Sequence, residues 1–381
     1  MCRTTFQATT RVVALLAAAV GACSLASCAG AGSDTATIPH AFFGIVPGTP
    51  LGSSDFARMG RANVGSFRFQ IYWAAVQPAP NGGLDWKSTD RTVALAAAHR
   101  IDLLPILVGT PGWVAPRCPT CNATIRLRSD AQRAAWKTFL RAAVKRYGPG
   151  GSFWRRHPRL PADPITHWQI WNEQNNPLYR DPPQVYARLV AISKRVIDSV
   201  DPRGQVVLGG MFGTPKGSRR RGVTAWSYLD LLLKDGADGH FDAVALHPYS
   251  PTLSGMAYQI KKVRAVLDAH GLRTVPILIT EIGWGSSKKT HPGTGSRGAV
   301  FNVGLEAQRR NLENSFSMFT SNRTKWGIGG VYWYTWKDPR NPPPGLCAFC
   351  YSSGLYHADG ATPKPALSAY ESFTADTRPA A

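Results

Sequence analysis

The feature that most constrains this chain is an alternation. Eight apolar runs of strand length, residues 41–46, 66–73, 101–109, 167–173, 205–210, 241–249, 276–284 and 328–336, are separated by stretches whose apolar residues recur three and four apart. Residues 130–148, 183–200, 307–320 and 365–376 are good examples of the second kind, and the first of them lies between Ser129 and Gly148, residue types suited to open and close a helix. Eight strand-then-helix units predict an α/β chain folded as a single (β/α)8 TIM barrel over residues 41–376. That span exceeds the roughly 250 residues typical of such a barrel, and the surplus fits long loops after the third, seventh and eighth strands. A doubly wound sheet is the competing arrangement. It would carry a Gly-rich phosphate turn after its first strand, and IVPGTPLGSSD (45–55) is a poor approximation to one. No linker, repeat or low-complexity block divides the segment, although residues 285–298 read as a mobile loop.

The ends are different. Arg3 and Arg11 precede the apolar run 12–20, and the segment closes on Leu25-Ala26-Ser27-Cys28, so residues 1–28 read as an export signal. The tetrad resembles the bacterial lipobox, which implies cleavage before Cys28 and lipid on that cysteine. VGAC, ending at Cys23, is a second candidate, and plain secretion with cleavage near residues 29–31 is the alternative. Residues 29–40 then form a short linker and 377–381 a tail, and no later run approaches membrane-spanning length. The expected location is outside the cytoplasm, free or anchored at the cell envelope. There Cys118, Cys121, Cys347 and Cys350, two C-x-x-C units, read as disulfides; sequence does not choose among the three pairings, two local bridges are favoured, and a structural zinc is the alternative.

Charge excludes less than it suggests. The chain carries +21, or +19 without Arg3 and Arg11, and such a surface attracts polyanions. The basic residues are scattered along the helical stretches, with local clusters only at 154–159 and 218–222, and no nucleic-acid motif accompanies them. Metal chemistry finds no H-x-H or H-E-x-x-H among nine histidines, and no phosphate loop or G-x-S-x-G elbow is present. No cofactor is expected.

The chemistry concentrates at two strand ends. HWQIWNEQNN (167–176) puts Glu173 at the end of the fourth strand, and LITEIGW (278–284) puts Glu281 at the end of the seventh, with Trp284 close behind. In a closed barrel both ends lie on one rim, the face where barrel enzymes hold their active sites. Two carboxylates facing each other across a cup are what glycosidic cleavage needs, one to protonate the leaving oxygen and one to attack or to activate water. Indoles nearby then have a use, since the C–H faces of sugars stack on them.

WNEQN, HPY (247–249) and TEIGW (280–284) resemble the signature of the clan A glycoside hydrolases, retaining (β/α)8 glycosidases, in the branch with β-xylosidases, α-iduronidases and cellulase-like enzymes. The resemblance implies Glu173 as acid/base, Glu281 as nucleophile and Asn172 on the sugar hydroxyl beside the anomeric carbon. It also implies Arg68, His247 and Tyr249 around the nucleophile. Arg68 lies between Phe67 and Phe69 and therefore points opposite to them. Trp73, Trp284, Trp333 and Trp336 are candidate stacking residues, although Trp333 and Trp336 cannot both face inward on a regularly alternating strand. A guanidinium and a phenol beside Glu281 would lower its pKa, while apolar neighbours and the charge of Glu281 would raise that of Glu173. The expected partner is an oligo- or polysaccharide, with specificity decided in loops 117–130 and 337–354. Two other readings remain open: a catalytically silent sugar-binding barrel, and a polyanion-binding surface protein.

Overall fold

In the computed structural model, which describes residues 37–115, 124–125, 127–176, 181–214, 223–289, 298–342 and 346–377, eight parallel strands close into a barrel in chain order. They are β1 (Phe43–Val46), β2 (Ser66–Tyr72), β3 (Asp102–Val108), β4 (His167–Asn172), β5 (Gln205–Phe212), β6 (Val244–His247), β7 (Ile277–Ile282) and β8 (Ile328–Tyr334). β1 pairs with β8 in unbroken register, Gly44 beside Tyr332 and Val46 beside Tyr334, which closes the ring. The expected export segment with Cys28, the Cys118/Cys121 pair and the 218–222 basic cluster lie outside the described residues. Among the described residues no helix is long and apolar enough to cross a membrane.

The helices are α1 (Ser53–Arg61), α2 (Trp73–Val76), α3 (Lys87–Ala98), α4 (Asp130–Tyr147), α5 (Ser152–Arg156), α6 (Pro183–Asp198), α7 (Ala225–Leu232), α8 (Leu253–Ala269), α9 (Leu305–Ser321), α10 (Arg323–Trp326) and α11 (Pro365–Ala375). Ser129 opens α4 as expected. Its hydroxyl accepts from the Gln132 amide at 3.2 Å while the Gln132 side chain accepts from the Ser129 amide at 3.1 Å, so two of the helix's orphan donors are satisfied reciprocally. α6 begins on Pro183, whose fixed φ suits a first turn where no N–H partner is needed.

Strand periodicity sorts the core into two layers. Phe43, Ile45, Phe67, Phe69, Ile71, Val331 and Trp333 point out and pack under the helices in one large apolar layer. Phe43 stacks on Phe316 of α9 with ring centroids 5.2 Å apart, and each such buried ring contributes about 1.5–3 kcal/mol relative to exposure. The residues between them point in, and Val46, Leu104, Val207, Ala245 and Tyr332 fill the barrel as a separate cluster. Arg68, Gln169 and Thr280 are buried polar groups, and they lead from that apolar plug to the rim where the carboxylates stand.

The rim on the β7–β8 side is held by buried polar side chains as well as by short backbone bridges. Lys364, buried just ahead of α11, pairs with Asp338 at 2.6 Å and donates to the Ser286 hydroxyl at 2.9 Å and the Ser352 carbonyl at 3.0 Å. Gln308 of α9 donates to the carbonyls of Trp284 and Ser352 at 2.8 and 3.2 Å. One ammonium and one amide thus tie the loop after β7 to the loop after β8. Within the latter, Cys347 and Cys350 stand with Cα atoms 5.2 Å apart, close enough for a disulfide between them.

Candidate active site

β4 delivers its polar residues through unusual backbone. Trp171 and Glu173 have φ of +70° and +47°, a left-handed conformation that costs a non-glycine residue roughly 1–3 kcal/mol and persists only where surroundings impose it. The surroundings are identifiable: the Glu173 amide donates to Gly210 of β5 at 2.9 Å, and Asn175 clamps the β4–β5 corner through Phe212 and Val223. Trp171 thereby stays in the outer layer against Trp136, while Asn172 and Glu173 reach the cup.

Arg68, wholly buried on β2, organises the floor. Its Nε donates to Gln169 Oε1 at 2.7 Å, one terminal nitrogen to Glu281 Oε1 at 2.8 Å and the Thr280 carbonyl at 3.3 Å, and the other to Asn172 Oδ1 at 2.6 Å. Because Asn172 accepts through its oxygen, its amide hydrogens are turned away from Arg68. His247, at the end of β6, lies with Nδ1 2.9 Å from Glu173 Oε1 and 3.6 Å from Glu281 Oε2. The Tyr249 hydroxyl donates to Glu281 Oε2 at 3.4 Å, and Asn176 donates to Glu173 Oε2 at 2.9 Å. One oxygen of each carboxylate and a His247 nitrogen all lie within 4.8 Å of one another. The imidazole fits only because β5 has no side chain at 210, where a Cβ would stand 2.0 Å from His247 Nε2.

Burial alone would push the Glu281 carboxyl up, but His247, the Arg68 guanidinium and the Tyr249 hydroxyl outweigh it and hold its pKa below the ordinary carboxylate range. Glu281 therefore carries its charge at neutral pH. The Tyr249 and Tyr334 phenols are driven the other way, by burial first and then by the charges of Glu281 and Glu173, so both stay protonated as donors. Glu173, His247 and Glu281 offer one donor atom each to a small divalent cation. The fixed guanidinium 2.8 Å from Glu281 counts against one, since it already meets that charge and would repel a second cation.

The structure brings together Glu173, Glu281, Arg68, Asn172, His247 and Tyr249, and it keeps the four candidate indoles out. Trp73, at the start of α2, is fully buried, stacked on Phe139 at 5.5 Å and hydrogen-bonded to Gln77 at 2.9 Å. Trp333 faces outward, its Nε1 donating to the Ser353 carbonyl at 3.1 Å and its ring 6.0 Å from that of Trp284, which is also buried. Trp336 is buried against Tyr356 at 5.0 Å. The expectation that these rings are open for stacking is corrected by their burial: they are occupied by the protein itself. Two aromatic residues of β8 face inward, Tyr332 within the barrel plug and Tyr334, next to Trp333, packed on that plug at the rim. Sequence reasoning missed Tyr334, together with Gln169 and Asn176. Strand parity was the available signal for Tyr334 and Gln169, because Gln169 shares its face with Arg68 across the barrel.

No protein-family model matches the sequence, and no curated protein matches it. Solved structures do. A family 39 glycoside hydrolase from the gut symbiont Bacteroides cellulosilyticus WH2 is 20% identical with a TM-score of 0.62, over 88% of this chain and 63% of that one. A monomeric β-xylosidase from Caulobacter crescentus CB15 is 17% identical with a TM-score of 0.61, over 89% and 69%. A GH5_18 protein from Bifidobacterium longum subsp. infantis is 14% identical with a TM-score of 0.62, over 89% and 80%. The chain thus spans under two thirds of the length of the Bacteroides enzyme, and at these identities the likeness establishes a shared barrel fold.

Proposed function

We propose that the protein is a retaining glycoside hydrolase that cleaves O-glycosidic bonds of oligo- or polysaccharides by double displacement. One observation carries the reading. Two carboxylates from opposite sides of the barrel, Glu173 after β4 and Glu281 on β7, approach within 4.8 Å oxygen to oxygen. That fits the roughly 5–5.5 Å between carboxyl groups at which one of them attacks the sugar directly, and falls short of the roughly 6.5–9.5 Å that leaves room for a water. The structural neighbours named as glycoside hydrolases support the same class.

The contacts support a role for each residue. Glu281 Oε1 is held by Arg68, which leaves Oε2, with only the long Tyr249 contact and the His247 nitrogen nearby, as the oxygen that attacks the anomeric carbon. Glu173 gives its proton to the departing oxygen as that bond breaks, and its own carboxylate then takes a proton from the water that hydrolyses the glycosyl-enzyme. Glu281 is neutral as an ester and regains its charge in the second step, so Arg68 stabilises it as a leaving group. Asn172, its oxygen fixed by Arg68, presents its amide hydrogens to a sugar hydroxyl.

The test is turnover on a panel of aryl β-glycosides and polysaccharides. Glu281→Gln is expected to abolish it, and azide to restore Glu173→Ala as a glycosyl azide, because the azide ion needs no general base. Undiminished hydrolysis by Glu281→Gln sinks the proposal. A wild type that retains oligosaccharides and cleaves none favours the silent binding barrel.

A further inference from the structure

One ring packs against both phenols of the site. Phe349 is buried, its centroid 5.4 Å from that of Tyr249, 6.4 Å from Tyr334 and 5.2 Å from Phe301, and Phe301 is itself 5.8 Å from Tyr249. Tyr249 donates to Glu281, and Tyr334 feels the charges of both carboxylates. Phe349 is one of the two residues enclosed by Cys347 and Cys350. Its carbonyl accepts from the Ser352 amide at 3.0 Å and the Ser353 hydroxyl at 2.7 Å, while the Cys350 amide bonds the Cys347 carbonyl at 3.0 Å. Across from it, Gly298 takes φ of +76°, and a Cβ there would stand 2.8 Å from the ring. A covalently closed turn has been fitted to hold one aromatic ring against the residues that touch the catalytic carboxylates.

We propose that Phe349 is a positioning residue for the reaction assigned above, seating the Tyr249 hydroxyl on Glu281, and that the Cys347–Cys350 bridge fixes it in place. The proposal rests on that assignment. Cys347 and Cys350 are only partly buried, so the bridge is open to thiol–disulfide exchange. A small dithiol would deliver two electrons and two protons to the S–S bond, leaving two cysteine thiols and a cyclic disulfide of its own.

The experiment is a double-mutant cycle on an aryl glycoside that the wild type hydrolyses, with Tyr249→Phe, Phe349→Ala and the pair, each scored for kcat, KM and the acid limb of kcat/KM. The groups facing Glu281 are Arg68, His247, Glu173, Tyr249 and Tyr334, and of these Tyr249 and Tyr334 touch Phe349. Loss of one hydrogen bond to a charged group predicts a fall in kcat of about tenfold or more for Tyr249→Phe. Phe349→Ala is expected to fall similarly and to move the acid limb upward in the same sense. The pair is expected to be no worse than the poorer single variant, since one contact is lost by either route. Phe349→Leu, which keeps much of the apolar volume, is expected to recover part of the loss. Cys347→Ser/Cys350→Ser, or dithiol treatment of the wild type, is expected to lower kcat in the same direction. Losses that multiply in the pair, or a folded Phe349→Leu and Phe349→Ala with wild-type kcat and acid limb, overturn the proposal. An inactive wild type, or an active Glu281→Gln, overturns the underlying hydrolase assignment instead.

Discussion

Arg68→Met is the most informative single perturbation, because it removes one buried cation from four partners at once. Arg68 has no exposed side-chain surface and Glu281 has 17%, so the pair is largely out of water. Breaking a buried ion pair by deleting one partner costs about 3–5 kcal/mol, mostly through the charge left behind. The Glu281 carboxyl relieves that by taking up a proton, and loss of an opposite charge at this range raises a carboxylate pKa by about 1–3 units. In its proposed role as nucleophile Glu281 must be ionised to attack, so the acid limb of kcat/KM is expected to rise by the same one to three pH units. The stability deficit has its own pH signature. In the wild type the folded pKa lies below the unfolded value of about 4.3, so the stabilisation is complete above that value and disappears as pH falls through the folded one. Urea unfolding should therefore find the gap between wild type and variant widest at pH 7 and narrower below about pH 4. Arg68→Lys keeps the charge without the planar fork that reaches Gln169, Glu281 and Asn172 together, and is expected to recover stability better than turnover. An acid limb that stays at its wild-type position in Arg68→Met refutes the view that the guanidinium holds the nucleophile ionised.

Two further perturbations separate the cup from its supports. Lys364→Met should strip the buried Asp338 of its cation and cost about 3–5 kcal/mol in urea unfolding, yet leave the acid limb unmoved, because the pair touches neither Glu173 nor Glu281. A shifted limb would mean that the grip of Lys364 on the Ser352 carbonyl also helps to seat Phe349. Gly210→Ala drives a methyl into His247 Nε2, so the imidazole must leave the position between the carboxylates. Overpacking of this kind costs about 1–3 kcal/mol, and the expected result is a folded protein with turnover reduced at least tenfold; wild-type turnover would show that His247 placement is immaterial.

The barrel was legible because its evidence is periodic. Eight apolar runs separated by helical stretches leave few architectures, and the Ser129 cap was readable from two residues and their spacing. Element ends were less so: the sixth run reads to Tyr249, but β6 stops at His247, where Pro248 cannot supply a ladder amide. Glu173 and Glu281 were legible as a pair: a lone carboxylate at a strand end can cap a helix or meet an arginine, but two ending on one rim of a closed barrel point to shared chemistry. The backbone that presents Glu173 was invisible, since neither Trp171 nor Glu173 belongs to a residue type that announces a left-handed φ.

Aromatic residues misled for a physical reason. An indole serves equally well under a helix or beneath a sugar, and composition cannot tell which face of a strand it occupies until register is known. On β8 the register places Trp333 beside Ile45, in the outer layer, and Tyr334 beside Val46, in the inner one. One step along the strand therefore exchanges a packing residue for a site residue. The phenol also explains why the exchange matters. Indole offers a donor and a face, whereas Tyr334 and Tyr249 place protonated hydroxyls where two carboxylates alternate their charge. In the proposed double displacement Glu281 is first an anion and then an ester, and such a site gains more from neutral hydroxyls that stay put than from another apolar face. The ring that keeps those donors in place, Phe349, then sits one layer further out, inside its cysteine-closed turn.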